Sequence, residues 1–168
     1  MRNYGLMLCL LWSFSAQADL EGNGDVLQIA LPAAAYAITF IDDNPEARAD
    51  FWASGVANWG STFAIKRLVN KTRPNGGEHS FPSGHTSAAF HGAAMIQKQR
   101  GWTYGLPAYV LAAYTGYSRV ETDHHDWQDV IAGAALGVAS AHFVNRERVS
   151  WIGHLDGNSI GVTVFGAW

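Results

Sequence analysis

Two almost uncharged segments on either side of a short polar stretch constrain this 168-residue chain most strongly. Residues 104–117 carry no charge, and residues 130–144 carry none apart from His142. The stretch between them, SRVETDHHDWQD at residues 118–129, holds an arginine, two adjacent histidines and a group of aspartates. Because buried polar groups are costly unless they have partners, we expect two apolar helices joined by a connection that has a function.

Apolar periodicity and capping residues predict about five helices in the whole chain. Asn44-Pro45-Glu46 is a typical helix start, with a capping Asn, a Pro at the first helical position and an acid in the first turn. The predicted helices cover residues 25–41, 45–69, 82–99, 102–117 and 124–145. Helices this apolar must bury their faces against one another, so we predict an all-α fold, a compact bundle.

The apolar runs are about 15 to 17 residues long, whereas a helix that spans a bilayer needs roughly 20. Most of the runs are also interrupted by Gly, Ser, Pro or His. These lengths favour a bundle that is soluble or associated with a membrane surface over an integral membrane protein.

The N-terminus has the features of a secretory signal peptide, predicted over residues 1–18. Arg2 precedes an apolar run, and Ala16 and Ala18 form a small-x-small cleavage site. An N-terminal membrane anchor is the alternative, although the run is short for a span. The helical domain would then cover residues 19–148. Residues 149–168 form a C-terminal tail, in which alternating apolar residues predict a short β-hairpin over residues 151–155 and 160–165.

Cysteine content and charge exclude several classes of protein. Cys9 is the only cysteine and lies in the predicted signal peptide, so the exported chain has no disulfide, no cysteine metal site and no thiol nucleophile. Export without disulfides fits a bacterial periplasm. The net charge is −3, and no basic stretch exceeds Lys66-Arg67, which argues against a nucleic-acid partner.

Polar residues that could take part in binding or catalysis occur in three groups along the chain. These groups are Lys66 with Arg73-Pro74, then Pro82-Ser83-Gly84-His85, then Ser118-Arg119 with His125 and Asp129. Their order and spacing resemble the motifs of the type 2 phosphatidic acid phosphatase superfamily, which contains lipid phosphatases, bacterial non-specific acid phosphatases and vanadium haloperoxidases. The resemblance covers about residues 25–145. The loop before Pro82 is shorter than in many secreted acid phosphatases of that superfamily, which leaves little room for a lid.

The residue types in these groups suit the binding of phosphate. A phosphate monoester is doubly charged near neutral pH, and Lys66, Arg73 and Arg119 can offset that charge, the arginines with forked hydrogen bonds. Ser83 and Gly84 open a helix, where free amides and the helix dipole attract anions. Lys66, Arg67 and Lys71 also suit the negative C-terminal end of the second helix, which is a purely structural explanation for all three.

His125 is the best candidate nucleophile in a chain without a usable thiol. Asp129 follows four residues later, which on a helix puts both side chains on one face, and a carboxylate there can hold the imidazole tautomer. His124 competes, but its spacing from Asp129 is less suitable. The resemblance implies that His125 attacks phosphorus to form a phosphohistidine, that Asp129 orients it, and that His85 protonates the leaving oxygen and later activates water. This scheme uses no metal and no cofactor.

The sequence therefore predicts a metal-independent phosphatase that acts on phosphate monoesters or pyrophosphates, with lipid phosphates as the leading substrates and contact with a membrane surface. Small soluble phosphate esters are the alternative substrates, and a phosphotransferase is a close variant. A haloperoxidase with vanadate in the phosphate position and a non-enzymatic envelope protein are the other classes. The sequence leaves the oligomeric state open.

Overall fold

The computed structural model describes residues 20–144 and two strands at 149–156 and 159–166. Within these residues the chain forms five helices and one hairpin. The helices are α1 (Leu20–Ile41), α2 (Pro45–Val69), α3 (Gly84–Arg100), α4 (Trp102–Glu121) and α5 (Trp127–Phe143). Strands β1 (Val149–Asp156) and β2 (Ser159–Gly166) pair antiparallel, with Val149 opposite Gly166 and Asp156 opposite Ser159. The predicted all-α class is confirmed, and the strands lie where the alternating pattern predicts a hairpin. The predicted signal peptide lies outside the described residues.

Helix α3 is at the centre of the bundle and packs against each of the other four helices. Small side chains make this possible, because they let the neighbouring backbones come close. The buried apolar core contains residues from all five helices: Leu31 and Ala35, Phe51, Ala89, Ala93, Ala94, Met95 and Ile96, Ala108 and Ala112, and Ala141. Since α3 carries the residues of the second polar group at its first turn, its central position also fixes those residues in the bundle.

Glycines in α3 and α5 allow close contacts between helices. A Cβ added to Gly133 would lie 2.5 Å from the carbonyl oxygen of Ser83, and one added to Gly137 would overlap the backbone of α3 at Ser87. Gly92 on α3 is pressed in the same way against the backbone of α1 at Pro32. The faces of α3 and α5 that carry these glycines are therefore faces that pack against other helices.

The helix boundaries agree with the capping residues at some ends and differ at others. Asn44 caps α2 by accepting the amide of Ala47 at 2.9 Å, with Pro45 at the first helical position, as predicted. Helix α1 begins at Leu20, upstream of the predicted residue 25, and α4 continues to Glu121, beyond the predicted residue 117.

The predicted start of the last helix at residue 124 is wrong, because α5 begins at Trp127. The amides of His124 and His125 both donate to the carbonyl oxygen of Arg119, at 3.0 and 3.1 Å, which holds them in the connection after α4. Asp126 is the N-cap, and the side chain of Asp129 accepts its amide at 3.1 Å in a capping box. His125 therefore precedes the helix instead of sharing a helical face with Asp129.

The outer surfaces of four helices expose large apolar side chains. They include Ile29 and Phe40 on α1, Trp52, Val56, Trp59 and Phe63 on α2, Trp102, Leu106 and Val110 on α4, and Trp127 and Ile131 on α5. Among the described helices, α1 alone has the length and apolar composition needed to cross a membrane.

Candidate active site

The first turn of α3 provides backbone amides to the candidate site. Ser83 is the N-cap, and its Oγ accepts the amide of Thr86 at 3.4 Å and the hydroxyl of Thr86 at 2.9 Å. The amide of Ser83 donates to the carbonyl oxygen of Asp129 at 2.9 Å, which joins α3 to α5. The amides of Gly84 and His85 follow at the helix start, where helical geometry gives them no intrahelical acceptor. These two amides can bind an anion, whereas a direct phosphate contact from the buried Ser83 hydroxyl stays a prediction.

Lys66 lies beside this helix start. Its Nζ donates to the carbonyl oxygens of His79 and Ser80, at 2.8 and 3.3 Å. A Cβ added to Gly84 would lie 3.8 Å from Lys66 Cε, so the lysine stem lies close to the start of α3. Burial, together with the charge of Arg73, lowers the pKa of Lys66 to about 8. At neutral pH the ammonium therefore remains mostly charged next to the amides of α3.

The two arginines of the predicted phosphate site have different surroundings. Arg73 lies in the loop after α2, where its Nε donates to the carbonyl oxygen of Glu78 at 3.2 Å. Arg119 is only 2% exposed, and its guanidinium bonds to α1, with Nη1 2.8 Å from Asp25 Oδ1 and Nη2 2.6 Å from the carbonyl oxygen of Glu21. The charge of Arg73 acts to lower the pKa of His125, and the charge of Arg119 acts to lower the pKa of His85. Each arginine is therefore near one of the two predicted catalytic histidines.

His125 is held through its Nδ1 atom by a serine and an aspartate. Nδ1 lies 3.2 Å from Ser80 Oγ and 3.5 Å from Asp129 Oδ2, and both His125 and Asp129 are almost completely buried. Ser80 Oγ also donates a short hydrogen bond to Asp129 Oδ2. Because the single hydroxyl proton of Ser80 goes to the carboxylate, its oxygen can accept Nδ1–H from His125. That tautomer leaves Nε2 of His125 with a free lone pair, the form that a nucleophile requires.

Asp129 has a partner for both of its carboxylate oxygens. Oδ1 lies 2.8 Å from Lys71 Nζ, which also contacts Asp126 at 2.8 Å, and Oδ2 accepts from Ser80 and from the amide of Asp126. Burial acts to raise the pKa of Asp129, but the hydrogen bonds from Lys71 and Ser80 outweigh it, so the pKa is lowered. The carboxylate is therefore ionised at neutral pH and able to orient the imidazole.

Burial and nearby positive charges keep His125 neutral. Burial, Lys66 and Arg73 lower the pKa of His125 to about 4, against the opposing effect of Asp129. His124, in contrast, lies 3.0 Å through Nδ1 from Thr122 Oγ1 and 3.3 Å through Nε2 from Glu21 Oε1. Of the two adjacent histidines, His125 is the one that contacts Asp129, as predicted, although the contact does not come from a shared helical face.

His85 is the other predicted catalytic histidine, and it is partly exposed in the first turn of α3. Its Nε2 lies 3.1 Å from Asp25 Oδ1, so this carboxylate oxygen contacts both His85 and Arg119. Burial and the charge of Arg119 lower the pKa of His85, while Asp25 acts to raise it.

Sequence reasoning missed three residues of this arrangement: Asp25, Lys71 and Ser80. The helix dipole alone explains Lys71 in the sequence, but its ammonium pairs with Asp129 across the site. Ser80 has no sequence signal of its own. A signal for Asp25 does exist, because Glu21 and Asp25 are the only charged residues in α1. Among the residues that the structure describes, no three His, Cys, Asp or Glu side chains come together as a metal site would require.

The fold and the site define a helical protein in which the start of α3 lies next to a buried His–Asp pair. The sequence pattern of the PAP2 superfamily matches residues 36–149. The chain belongs to the PAP2 superfamily.

Curated relatives match parts of the chain. A lipid A 1-phosphatase of Porphyromonas gingivalis is 37% identical over 84 residues, 47% of this chain and 19% of the relative. Lipid phosphate phosphatase 2 of Arabidopsis thaliana is 40% identical over 81 residues, 40% of this chain and 28% of the relative. The bacitracin transport permease protein BcrC of Bacillus licheniformis is 41% identical over 85 residues, 49% of this chain and 40% of the relative. The chain therefore spans well under half the length of these relatives.

One solved structure shares most of the fold. The crystal structure of LpxE from Aquifex aeolicus superposes with a TM-score of 0.66 at 19% sequence identity, covering 74% of this chain and 81% of that one. This likeness supports the helical architecture.

Proposed function

We propose that this protein is a phosphatase that cleaves phosphate monoesters through a phosphohistidine on His125. The observation that carries the proposal is the Ser80–His125–Asp129 arrangement, which leaves Nε2 of a neutral, buried imidazole free to attack. Lys66, Arg73, Arg119 and the first amides of α3 provide positive potential for the transferring group. The similarity to a lipid A 1-phosphatase and a lipid phosphate phosphatase supports the same activity.

The proposed reaction has two steps. His125 Nε2 forms a bond to phosphorus while the bond to the leaving oxygen breaks, and His85 gives that oxygen a proton. A water molecule then gives a proton to His85 and attacks phosphorus, the N–P bond breaks, and its electron pair returns to Nε2. Inorganic phosphate and an alcohol are the products.

Hydrolysis of p-nitrophenyl phosphate and of phosphatidate by residues 19–168, with EDTA present, tests this proposal. The wild type should turn over at least one of them, and His125→Ala should abolish that turnover. His142→Ala is the matched control, because His142 is exposed at the end of α5. A rapid acid-free quench should trap a phosphoprotein that is labile to acid and stable to base. Turnover that survives His125→Ala would rule out His125 as the nucleophile.

Lipid phosphates are the proposed substrates because an apolar cleft begins at the anion site. This cleft of about 360 Å³ runs between α1, α2 and α3 from Gly84 and Thr62 past Val56 to Phe51 and Pro32. A hydrocarbon chain attached to a phosphate at Gly84 would follow this cleft, whose size suits a ligand site.

Filling the cleft distinguishes lipid from soluble substrates. Gly55 lines it, and a Cβ there would lie in ordinary contact with His91, 3.7 Å from Cε1. Gly55→Leu should raise the KM for phosphatidate about tenfold while the KM for p-nitrophenyl phosphate stays within about twofold. Ala113→Leu, on the exposed side of α4, is the control. Equal effects on both substrates would refute a chain-binding role for the cleft.

We propose that the protein works on the exported side of a bacterial membrane. The predicted signal peptide would provide export, and α1, α2, α4 and α5 each expose large apolar side chains on their outer surfaces. Contiguous exposed apolar surface marks sites of contact with a membrane or a protein. The full chain should sediment with vesicles of phosphatidylethanolamine and phosphatidylglycerol, and added protease should reach it in spheroplasts but not in intact cells. Recovery in the supernatant with vesicles present would contradict membrane association.

A further inference from the structure

We propose that Asp25 is a positioning residue that makes His85 the general acid of the reaction. This inference rests on the proposed phosphatase activity. Asp25 projects from α1 toward the first turn of α3, where its Oδ1 lies 3.1 Å from His85 Nε2 and 2.8 Å from Arg119 Nη1. One carboxylate oxygen thus contacts both the predicted proton donor and a predicted phosphate ligand, and the site contains a second His–Asp pair besides His125 and Asp129.

The position of Asp25 is fixed by the way α1 packs on the Ser118-Arg119 motif. The carbonyl oxygen of Glu21 accepts from Arg119 Nη2 at 2.6 Å, one helical turn before Asp25. A Cβ at Gly24 would overlap Ser118 Oγ, so the glycine lets α1 lie against this motif without displacing that side chain. Because Arg119 is 2% exposed and bonded to α1 at two points, the Asp25 contact belongs to a buried interface, although the carboxylate itself is 49% exposed.

In the two His–Asp pairs, the aspartate contacts a different nitrogen of the imidazole ring. His125 is held at Nδ1, which leaves Nε2 to attack phosphorus. His85 is held at Nε2, so Nδ1 is the nitrogen left to carry the transferable proton. In the first step the P–O bond breaks, its electron pair goes to the leaving oxygen, and that oxygen takes the proton from Nδ1 of His85. In the second step water returns a proton to Nδ1.

The charges around His85 explain why it needs a carboxylate. Arg119 on α4 and His124 in the α4–α5 connection both disfavour a positive charge on His85. The positive N-terminal end of the α3 dipole acts in the same direction. Burial is the largest effect and, together with the charges of Arg119 and His124, lowers the pKa of His85. Asp25 is the group that opposes them, through its charge and its hydrogen bond. Without it, His85 would lose its proton at a lower pH and protonate a leaving group poorly.

The test compares leaving groups in Asp25→Asn and Asp25→Glu variants. A poor leaving group such as the alkoxide of hexyl phosphate needs a general acid, whereas p-nitrophenolate does not. Asp25→Asn should lower kcat about 100-fold for hexyl phosphate and less than about fivefold for p-nitrophenyl phosphate. Asp25→Glu should restore at least a tenth of the lost rate. The alkaline limb of the kcat profile should move to lower pH in the Asn variant. Equal losses on both substrates, or a gain in rate, would overturn the proposal.

A measurement independent of turnover separates this inference from the proposed function. The imidazole pKa of His85 in the full chain can be followed by NMR and assigned by comparison with His85→Gln. It should fall in Asp25→Asn and return in Asp25→Glu, whatever substrate the protein uses. An unchanged pKa in Asp25→Asn, with thermal unfolding showing a folded variant, would overturn the role of Asp25 while leaving the His125 chemistry standing. If Asp25→Asn does not fold, an unchanged pKa in Asp25→Ala or a failed rescue by Asp25→Glu would overturn that role equally.

Discussion

Ser80 and Asp129 share a short hydrogen bond beneath His125, with Ser80 Oγ as the donor and Asp129 Oδ2 as the acceptor. Both side chains are completely buried, and the same serine oxygen lies 3.2 Å from Nδ1 of His125. The serine therefore connects the candidate nucleophile to its carboxylate and determines which nitrogen of the imidazole carries a proton.

Replacing Ser80 by Ala should slow the chemical step. Nδ1–H would keep only the longer, 3.5 Å contact with Asp129, so the imidazole would be less firmly held in the reactive tautomer. We expect kcat to fall about 10- to 100-fold with little change in KM. This range is typical for the loss of a residue that hydrogen-bonds to a reactive or ligating side chain and orients it. Ser140→Ala removes another buried hydroxyl, which bonds only within α5, and is the control. Equal kcat values for the two variants would contradict the prediction.

Replacing Lys71 by Met should destabilise the protein most at neutral pH. The pKa of Asp129 is lowered in the folded protein, so its contribution is present above the unfolded pKa of about 4 and is lost as pH falls. Without Lys71 the buried carboxylate loses a charged hydrogen bond worth about 2 kcal/mol. The difference from wild type in urea unfolding should shrink between pH 7 and pH 4, where the unpaired carboxylate can protonate. The exposed Arg67→Met is the control, and a pH-independent difference would argue against this pairing.

The acid limb of kcat/KM for p-nitrophenyl phosphate should lie near pH 4. His125 reacts only when unprotonated, and its pKa is lowered to about 4 by burial, Lys66 and Arg73. Activity should thus persist well below pH 6.5, where an ordinary histidine is half protonated. Lys66→Met should move this limb to higher pH, because it removes one of the charges that lower the pKa. A limb near pH 6.5 in the wild type would show that His125 is not the titrating group.

Adding one methyl group at Gly133 should damage both stability and the site. The new Cβ would lie 2.5 Å from the carbonyl oxygen of Ser83, so the N-terminus of α3 would have to move. We expect Gly133→Ala to cost about 1–3 kcal/mol in unfolding free energy and to reduce activity. Gly60→Ala is the matched control, since nothing lies within 4 Å of a Cβ there and alanine should stabilise α2 by up to about 1 kcal/mol. A neutral Gly133→Ala would contradict the close contact between α3 and α5.

The sequence by itself determined the helical class, several helix ends and most of the candidate site. Asn44 and Pro45 mark the start of α2 because capping and the fixed φ of proline act within a single turn. Lys66, Arg73, His85 and His125 stood out because the order and spacing of their motifs resemble those of the superfamily. These signals are local, so they could be read without knowing how the helices pack.

Only the tertiary structure decided which partners these residues have. His125 precedes α5 because its amide is bonded to Arg119, which no local pattern indicates. Asp25 reaches His85 only because α1 packs against α3 and α4, and Ser80 lies between His125 and Asp129 only because the loop after α2 folds against α5. Residues so far apart in sequence are brought together by the shape of the whole bundle, where small side chains set how closely each pair of helices can approach.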